Sequence, residues 1–300
     1  MLAELDRLGT IAAVAKSLNL TAPGISMQLS GLERELGIQL TERQGRRIVV
    51  TPAGHLLARH GSNIVDMLSI AEMEAAALRD GAVGTYRVAA FPTAAQAILP
   101  AAWRILTAEE GSGVQLRLLE MEPSVALAAL AAGDIELAVA HHYSNMPPLT
   151  GAGLQITPVL TEAVRLAVNE QNWPTTQSTV DLSDFADHDW IVPNREWTCH
   201  DMVLRATGLA GFQPRTVAEA TDFQVQLALV AAGVGVALVP ELGAVGAPLG
   251  VRMLDLLVPV KRNIVAVTRR RSSSDAGLRR IESAVIDGAR SLRGAASAAA

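Results

Sequence analysis

The segments GTIAAVAKSL, residues 9–18, and TAPGISMQLSGLERELG, residues 21–37, decide the fold of the N-terminal part of this chain. In the first segment apolar residues recur at spacings of three and four, as on one face of a short helix. In the second, Thr21 and Pro23 suit the start of a helix and Gly37 suits its end. Two short helices joined by a tight turn predict a helix-turn-helix.

The second of these helices carries short polar side chains near its start, and a basic turn follows it. Ser26 and Gln28 project away from the apolar stripe and can contact base edges in a major groove. The turn at 43–47 contains three arginines that can contact phosphates, and the apolar run at 48–50 predicts a wing strand. We therefore expect residues 1–54 to bind double-stranded DNA. The candidate DNA-binding residues are Thr21, Pro23, Ser26, Gln28, Arg34, Arg43, Arg46 and Arg47.

Residues 55–80 predict one long linker helix. Its apolar positions follow a heptad spacing, which is typical of helices that pair in a coiled coil. A helix that lies on its own domain has the same pattern, so both arrangements stay open here. The apolar seam consists of Leu57, Ile64, Leu68, Ala71, Ala75 and Leu78.

Residues 85–268 alternate short apolar runs with helical stretches, which predicts an α/β fold. The first strand is expected at 85–91, with Thr93 as the N-cap of the helix behind it. In open α/β sheets ligands bind at the carboxyl ends of strands, where helix starts offer free N–H groups. We therefore expect an anionic or carbonyl-bearing small molecule here. A capping hydroxyl without a ligand explains Thr93 equally well.

Equivalent positions elsewhere complete the expected effector site. The third strand is expected to end at His141 and His142, which point to opposite faces and so do not chelate one metal together. A loop at 194–198, and a helix cap formed by Thr221 and Asp222, follow later strands in the same way. We expect neither a metal nor a cofactor, and we interpret the arginines at 269–271 as a solvated strand end. The candidate effector-binding residues are Thr93, Ala94, His141, Asn194, Trp197, Thr198 and Thr221.

The composition is that of a folded protein with large cores. Of 300 residues, 50% are hydrophobic and 18% are charged, which argues against disorder. The net charge is −5, although residues 1–60 hold seven Lys and Arg against five Asp and Glu. Cys199 is the single cysteine, so an intramolecular disulfide is excluded. Without a second thiol a redox role for Cys199 is the minor alternative. The absence of a signal sequence and of a long apolar window predicts a cytoplasmic location and no membrane partner.

The order of several motifs resembles that of the LysR-type transcriptional regulators. Besides the two opening segments, these motifs are TPAG at 51–54, FPT at 91–93, LP at 99–100, LAAGDIELA at 130–138 and VAAGVGVALVP at 230–240. The resemblance implies a winged helix-turn-helix, a dimerising linker helix, and two Rossmann-like subdomains resembling periplasmic binding proteins. It also implies a homodimer or homotetramer that binds and bends operator DNA, and a small-molecule effector that changes the bend.

The resemblance also implies domain boundaries. These are 1–54 for the DNA-binding domain, 55–80 for the linker helix, 85–160 with 241–293 for effector subdomain I, and 161–240 for subdomain II.

Three departures from the family pattern set the alternative hypothesis. The chain begins inside what should be the first helix, Met27 stands where the family usually has Arg or Lys, and Thr41 replaces a usual Phe. The alternative is an α/β small-molecule-binding protein or an enzyme with a degenerate N-terminal domain. We predict no catalytic residue, because the chain has no G-x-S-x-G, phosphate-loop or H-E-x-x-H motif.

Overall fold

The structure is a computed structural model that describes residues 1–44, 47–80, 84–108, 114–173, 177–272 and 275–298. The chain forms two compact units, Met1–Asp80 and Gly81–Ala300. Arg46 of the predicted wing lies outside the described residues, as do the side chains of Arg47 and of residues 69–80.

The first unit has the predicted winged helix-turn-helix and the long helix. The Thr21 hydroxyl accepts a hydrogen bond from the Gly24 N–H (3.3 Å), and Gly37 ends the second helix at φ 66° in the left-handed region. The core contains Leu2, Leu5, Val14, Ala15, Ile25, Leu29, Leu40 and Ala58. The elements are α1 (Leu2–Leu8), α2 (Ile11–Ser17), α3 (Ala22–Leu36), β1 (Thr41–Gln44), β2 (Arg47–Val50) and α4 (Pro52–Asp80).

Thr41 has a structural role that its polar side chain explains. One Glu33 oxygen on α3 accepts hydrogen bonds from the N–H groups of Leu40 and Thr41 and from the Thr41 hydroxyl, at 2.8–3.0 Å. Thr41 therefore ties the wing to α3 by hydrogen bonds, where the family pattern would place an apolar ring.

The predicted seam of α4 is exposed over its described middle part. Leu57 is partly buried against the core of the first unit, but Ile64 is 66% exposed and Leu68 is 59% exposed. These two side chains do not lie on the core of their own domain, which favours the pairing arrangement over the alternative.

The second unit is the predicted α/β part. Its strands are β3 (Thr85–Ala90), β4 (Gln115–Glu120), β5 (Leu137–Tyr143), β6 (Leu154–Asn169), β7 (Thr179–Val180), β8 (Asp189–Val192), β9 (Arg215–Glu219), β10 (Ala237–Pro240), β11 (Val251–Leu256) and β12 (Val260–Arg269). Its α-helices are α5 (Pro92–Ala108), α6 (Pro123–Ala132), α7 (Thr198–Leu209), α8 (Phe223–Ala231) and α9 (Ala276–Ala298). Short 3₁₀ turns cover Leu182–Phe185, Glu241–Ala244 and Arg270–Ser272.

One large sheet joins most of these strands. Its order is β4-β3-β5-β12-β6-β11-β7, with β10 also paired to β6. Strand β3 is parallel to β4 and β5, whereas β12 is antiparallel to both β5 and β6. Strands β8 and β9 form a separate parallel pair.

Two sets of buried side chains divide this unit into lobes. The first lobe packs β3, α5 and α9 together, and the second packs α7, α8 and β10 around Trp190. Strands β6 and β12 contribute to both cores: Leu160 and Ile264 lie in the first, Val164 and Val260 in the second. The sequence predicts that the chain returns from the second lobe to the first at about residue 240. In the structure β11 still belongs to the second core, and β12 makes the return.

Several local expectations differ from the structure. Thr93 is the second residue of α5 and not its N-cap, because the helix begins at Pro92. Of the two expected cap residues, Thr221 and Asp222, it is Asp222 that caps α8, with its carboxylate accepting from the Gln224 N–H at 2.7 Å. His141 and His142 lie inside β5, which runs on to Tyr143.

Arg269 is not a solvated strand end. It is 7% exposed, and its guanidinium donates to the carbonyl oxygens of Leu130 (2.8 Å) and Ile135 (3.0 Å). The arginine therefore satisfies backbone acceptors after α6, a use that a run of arginines in a sequence does not reveal.

Among the described helices, none combines the length and the apolar composition that a membrane crossing requires. In the part of the chain that the structure describes, no group of three or more His, Cys, Asp and Glu side chains is arranged to hold a metal ion.

Candidate functional site

The first candidate site is the outer face of α3. Ile25 and Leu29 are buried, so residues about half a helical turn away face solvent. Met27, Ser30 and Arg34 form the centre of this exposed stripe, and Met27 is 69% exposed. The predicted Ser26 and Gln28 flank that stripe. The sequence predicted the flanking residues and Arg34, whereas Met27 was noted only as a departure from the family pattern.

The remaining predicted DNA contacts lie around α3. Thr21 and Pro23 are exposed at its start, and Arg34 is exposed near its end. Arg43 is exposed on β1, opposite Ile48 of β2, as a wing residue would be. These positions form a polar and basic surface on the first unit.

The second candidate site is a cavity between the two lobes of the second unit, with a volume of about 460 Å³. Thr93, His141, Trp197 and Thr221 line it, as the sequence predicted. The prediction missed further lining residues, among them Phe91, Glu120, Glu122, Tyr143, Asp222, Phe223 and Arg262. We call this space the interlobe cavity.

Three predicted effector contacts lie elsewhere. Ala94 is fully buried in the core of the first lobe. Asn194 is exposed, and its side-chain oxygen accepts from the Glu196 N–H at 3.1 Å, which orders its own loop. Thr198 is not part of the lining, but its hydroxyl donates to Glu122, which is.

The floor of the interlobe cavity contains a buried ion pair. Arg262 on β12 and Glu162 on β6 are cross-strand neighbours, with Nε 2.7 Å from Oε1 and both side chains at most 2% exposed. Burial alone would lower the pKa of Arg262, but the adjacent Glu162 carboxylate raises it above the usual value, so the arginine stays charged.

Both members of the pair also hold the surrounding structure. The second Glu162 oxygen accepts from the Leu242 N–H at 2.7 Å, and Arg262 Nη2 donates to the Thr93 hydroxyl at 2.9 Å. The guanidinium lies over the Phe91 ring, 5.0 Å from its centroid. The pair thus joins the strands shared by the lobes to the start of α5.

His141 stands beside this pair as a neutral imidazole. Burial, followed by the charge of Arg262, holds its pKa well below the usual range. Its ring meets Phe91 edge-on at 4.5 Å between centroids, and its Nδ1 atom is buried without a hydrogen-bond partner. A buried polar atom without a partner at a cavity wall is one that a ligand can satisfy.

Glu122 extends from the first lobe to the second. It occupies the N-cap position of α6, yet its carboxyl does not cap that helix. Instead it accepts from the Thr198 hydroxyl (3.1 Å) at the start of α7. Burial raises the pKa of Glu122 to about 7, while Thr198 and Arg262 act in the opposite sense.

Cys199 lies next to this contact and is 4% exposed. Burial and the nearby Glu122 raise its pKa to about 12. A thiol held protonated reacts slowly with oxidants, so its surroundings do not support a redox-sensing role.

A winged helix-turn-helix followed by a two-lobed α/β unit with an interlobe cavity defines a ligand-responsive DNA-binding regulator. The model of the LysR substrate binding domain matches residues 79–289, and that of the bacterial regulatory helix-turn-helix protein, lysR family, matches residues 1–55. The chain belongs to the LysR family of transcriptional regulators.

Named relatives agree with this assignment. The regulator IlvR of Caulobacter vibrioides is 30% identical over 250 residues, which cover 82% of each chain. The regulator AlsR of Bacillus subtilis is 28% identical over 229 residues, 76% of this chain and 74% of AlsR. The solved structure of full-length CbnR complexed with its target DNA is 25% identical, with a TM-score of 0.56, covering 96% of this chain and 97% of CbnR.

Proposed function

We propose that this regulator contacts operator DNA with α3 and the wing and senses a small-molecule effector in the interlobe cavity. The observation that carries the effector part is the cavity itself. Both lobes contribute to its wall, and the buried Nδ1 atom of His141 there lacks a hydrogen-bond partner. Clefts of this size that combine apolar walls with a few polar groups are typical small-molecule sites.

The DNA contacts are proposed from the exposed face of α3. Ser26 and Gln28 would reach base edges, while Arg34, Arg43, Arg46 and Arg47 would contact phosphates. Thr21 and Pro23 would set the helix start against the backbone. CbnR, whose structure holds target DNA, supports this use of the N-terminal unit.

The domain boundaries follow the same proposal. Residues 1–54 would bind DNA and 55–80 would link and dimerise. The chain would pass from one effector lobe to the other within β6 and again within β12. Residues 241–256, which the sequence assigns to subdomain I, would therefore belong to subdomain II. Thr93, His141, Trp197 and Thr221 would face the effector, with Ala94, Asn194 and Thr198 supporting the walls. The homo-oligomer would act in the cytoplasm as a regulator without catalytic activity.

Genomic footprinting with the purified full chain tests this function. We expect discrete protected sites, with Ser26→Ala and Gln28→Ala reducing the preference for those sites over random DNA. Arg43→Ala should weaken both about equally and flatten the salt slope by about one unit. Absence of any protected site, with or without cell extract as a source of effector, would contradict the proposal.

A further inference from the structure

The interlobe cavity has an acidic lining. Glu120, Glu122 and Asp222 contribute carboxyl groups to its wall. Among the described lining residues Arg262 is the only Lys or Arg, and its charge is compensated by Glu162 at 2.7 Å. The neutral His141 adds no positive charge. The lining therefore offers an anionic ligand no uncompensated cation.

Side chains of the protein already contact groups at the helix starts around the cavity. Asp222 accepts from the Gln224 N–H at the start of α8, and Glu122 accepts from Thr198 at the start of α7. The start of α5 presents Pro92, which has no N–H group, and Thr93, whose hydroxyl already accepts from Arg262. Carboxyl groups of the protein therefore already lie at the positive ends of α7 and α8, where they disfavour an anionic ligand.

Hydrogen-bond acceptors remain available. The Glu122 carboxyl accepts from the Thr198 hydroxyl and also lines the cavity, where a ligand can reach it. His141 is only 3% exposed, and its Nδ1 atom has no hydrogen-bond partner. Phe91, Trp197 and Phe223 supply apolar and aromatic surface in the same cavity.

We propose that the effector carries a protonated amine on an apolar body and that Glu122 is the counter-ion of this amine. The inference rests on the proposed function, in which the interlobe cavity is the effector site. It replaces the sequence-based expectation of an anionic or carbonyl-bearing effector. That expectation relied on helix N–H groups, and in the structure the carboxyl groups of Glu122 and Asp222 lie at the starts of α7 and α8.

Matched probes on one carbon skeleton test the charge preference. We would titrate the full chain by calorimetry with phenethylamine, 2-phenylethanol and phenylacetate, and then with butylamine, butanol and butyrate. We expect each amine to bind at least about tenfold more tightly than its carboxylate, with the alcohol between them. A carboxylate or alcohol that binds as tightly as the amine, or the absence of binding by all six probes, would overturn the inference.

Two variants assign the preference to Glu122. Glu122→Gln should lower amine affinity about tenfold and leave the alcohol unchanged within about twofold, because the site loses charge but keeps its shape. Glu196→Gln is the matched control: it removes a carboxylate from an exposed loop residue outside the cavity lining. An unchanged amine affinity in Glu122→Gln, or equal losses in both variants, would contradict the assignment.

Footprinting of the same samples separates this inference from the proposed function. Retained DNA protection with no amine preference would refute the effector class and leave the regulator intact. Absence of DNA protection both with and without the amine, together with a clear amine preference, would refute the regulator function and leave the amine site standing.

Discussion

Arg262 and Glu162 face each other across strands β12 and β6, 2.7 Å apart and almost fully buried. These two strands contribute to the cores of both lobes. An ion pair inside an apolar core gains little over a well-packed apolar pair, but removing one partner leaves an uncompensated charge. The pair therefore holds the floor of the interlobe cavity in one arrangement, since its members also bind Leu242 and Thr93.

The first prediction concerns the stability of this pair. Glu162→Gln keeps an acceptor for the Leu242 N–H but leaves Arg262 charged and buried, so we expect a loss of about 3–5 kcal/mol in the free energy of unfolding. The double variant Glu162→Leu with Arg262→Met should recover most of that loss. Urea unfolding followed by tryptophan fluorescence reports the second unit alone, because Trp103, Trp173, Trp190 and Trp197 all lie there.

A double variant that is less stable than Glu162→Gln would contradict this account. It would mean that the hydrogen bonds to Leu242 and Thr93, and not the balance of charge, dominate the contribution of the pair.

The second prediction is a pH dependence that arises from Glu122. Its pKa is raised from 4.5 to about 7 in the folded chain, where Arg262 and Cys199 are its charged or titratable neighbours. Between these two values the native state holds a proton that the unfolded state has lost. Stability is therefore greatest at the acid end of this window, falls as the pH rises through it, and levels off above about 7.

Glu122→Gln should remove this contribution. We expect the unfolding free energy of the wild type, relative to the variant, to fall by about 1–2 kcal/mol between pH 5 and pH 8, a value discounted for solvent screening. Unfolding in urea at several pH values measures the difference, and Glu196→Gln shows the effect of removing a carboxylate outside the cavity. A difference that rises with pH would reverse the sign that we assign.

Particular residues show which parts of the fold the sequence predicts and which it does not. Thr21, Gly37 and Asp222 act through neighbours in the chain, so the positions of α3 and α8 are close to those expected. The pair of Glu162 and Arg262 depends on the register of strands 100 residues apart, which local patterns do not contain.

The lining of the interlobe cavity was likewise predicted only in part. Thr93, Trp197 and Thr221 were predicted because they follow strands near helix starts, and His141 because it lies near the carboxyl end of a strand. Glu122 is not among the effector contacts that the sequence predicts. Its contact with Thr198 crosses from one lobe to the other, and nothing in the spacing of the two residues indicates that.

The third prediction concerns the outer face of α3. Met27 is 69% exposed at the centre of the stripe that would face a major groove. Met27→Arg should strengthen binding to the footprinted DNA and steepen the salt dependence by about one unit, because it adds one phosphate contact. Leu249→Arg, at a side chain that is 99% exposed in the second unit, adds the same charge elsewhere and should change neither quantity. Equal effects of both variants would indicate a general charge effect.

The fourth prediction concerns the seam of α4. Ile64 and Leu68 are 66% and 59% exposed on one face of the helix, so pairing with a second copy would bury both side chains. Ile64→Lys with Leu68→Lys should place like charges at that seam and raise the concentration at which the protein dissociates by about 100-fold or more. Sedimentation equilibrium measures the change.

Met67→Lys is the matched control for the seam, because Met67 is 62% exposed on the same helix but lies outside the heptad positions. It should leave the association unchanged within about threefold, since an off-seam lysine stays hydrated in either state. If the seam variant associates like the wild type while Met67→Lys does not, the pairing surface lies on another face of α4. DNA binding by the seam variant should weaken in parallel, because a dimer contacts two half-sites at once.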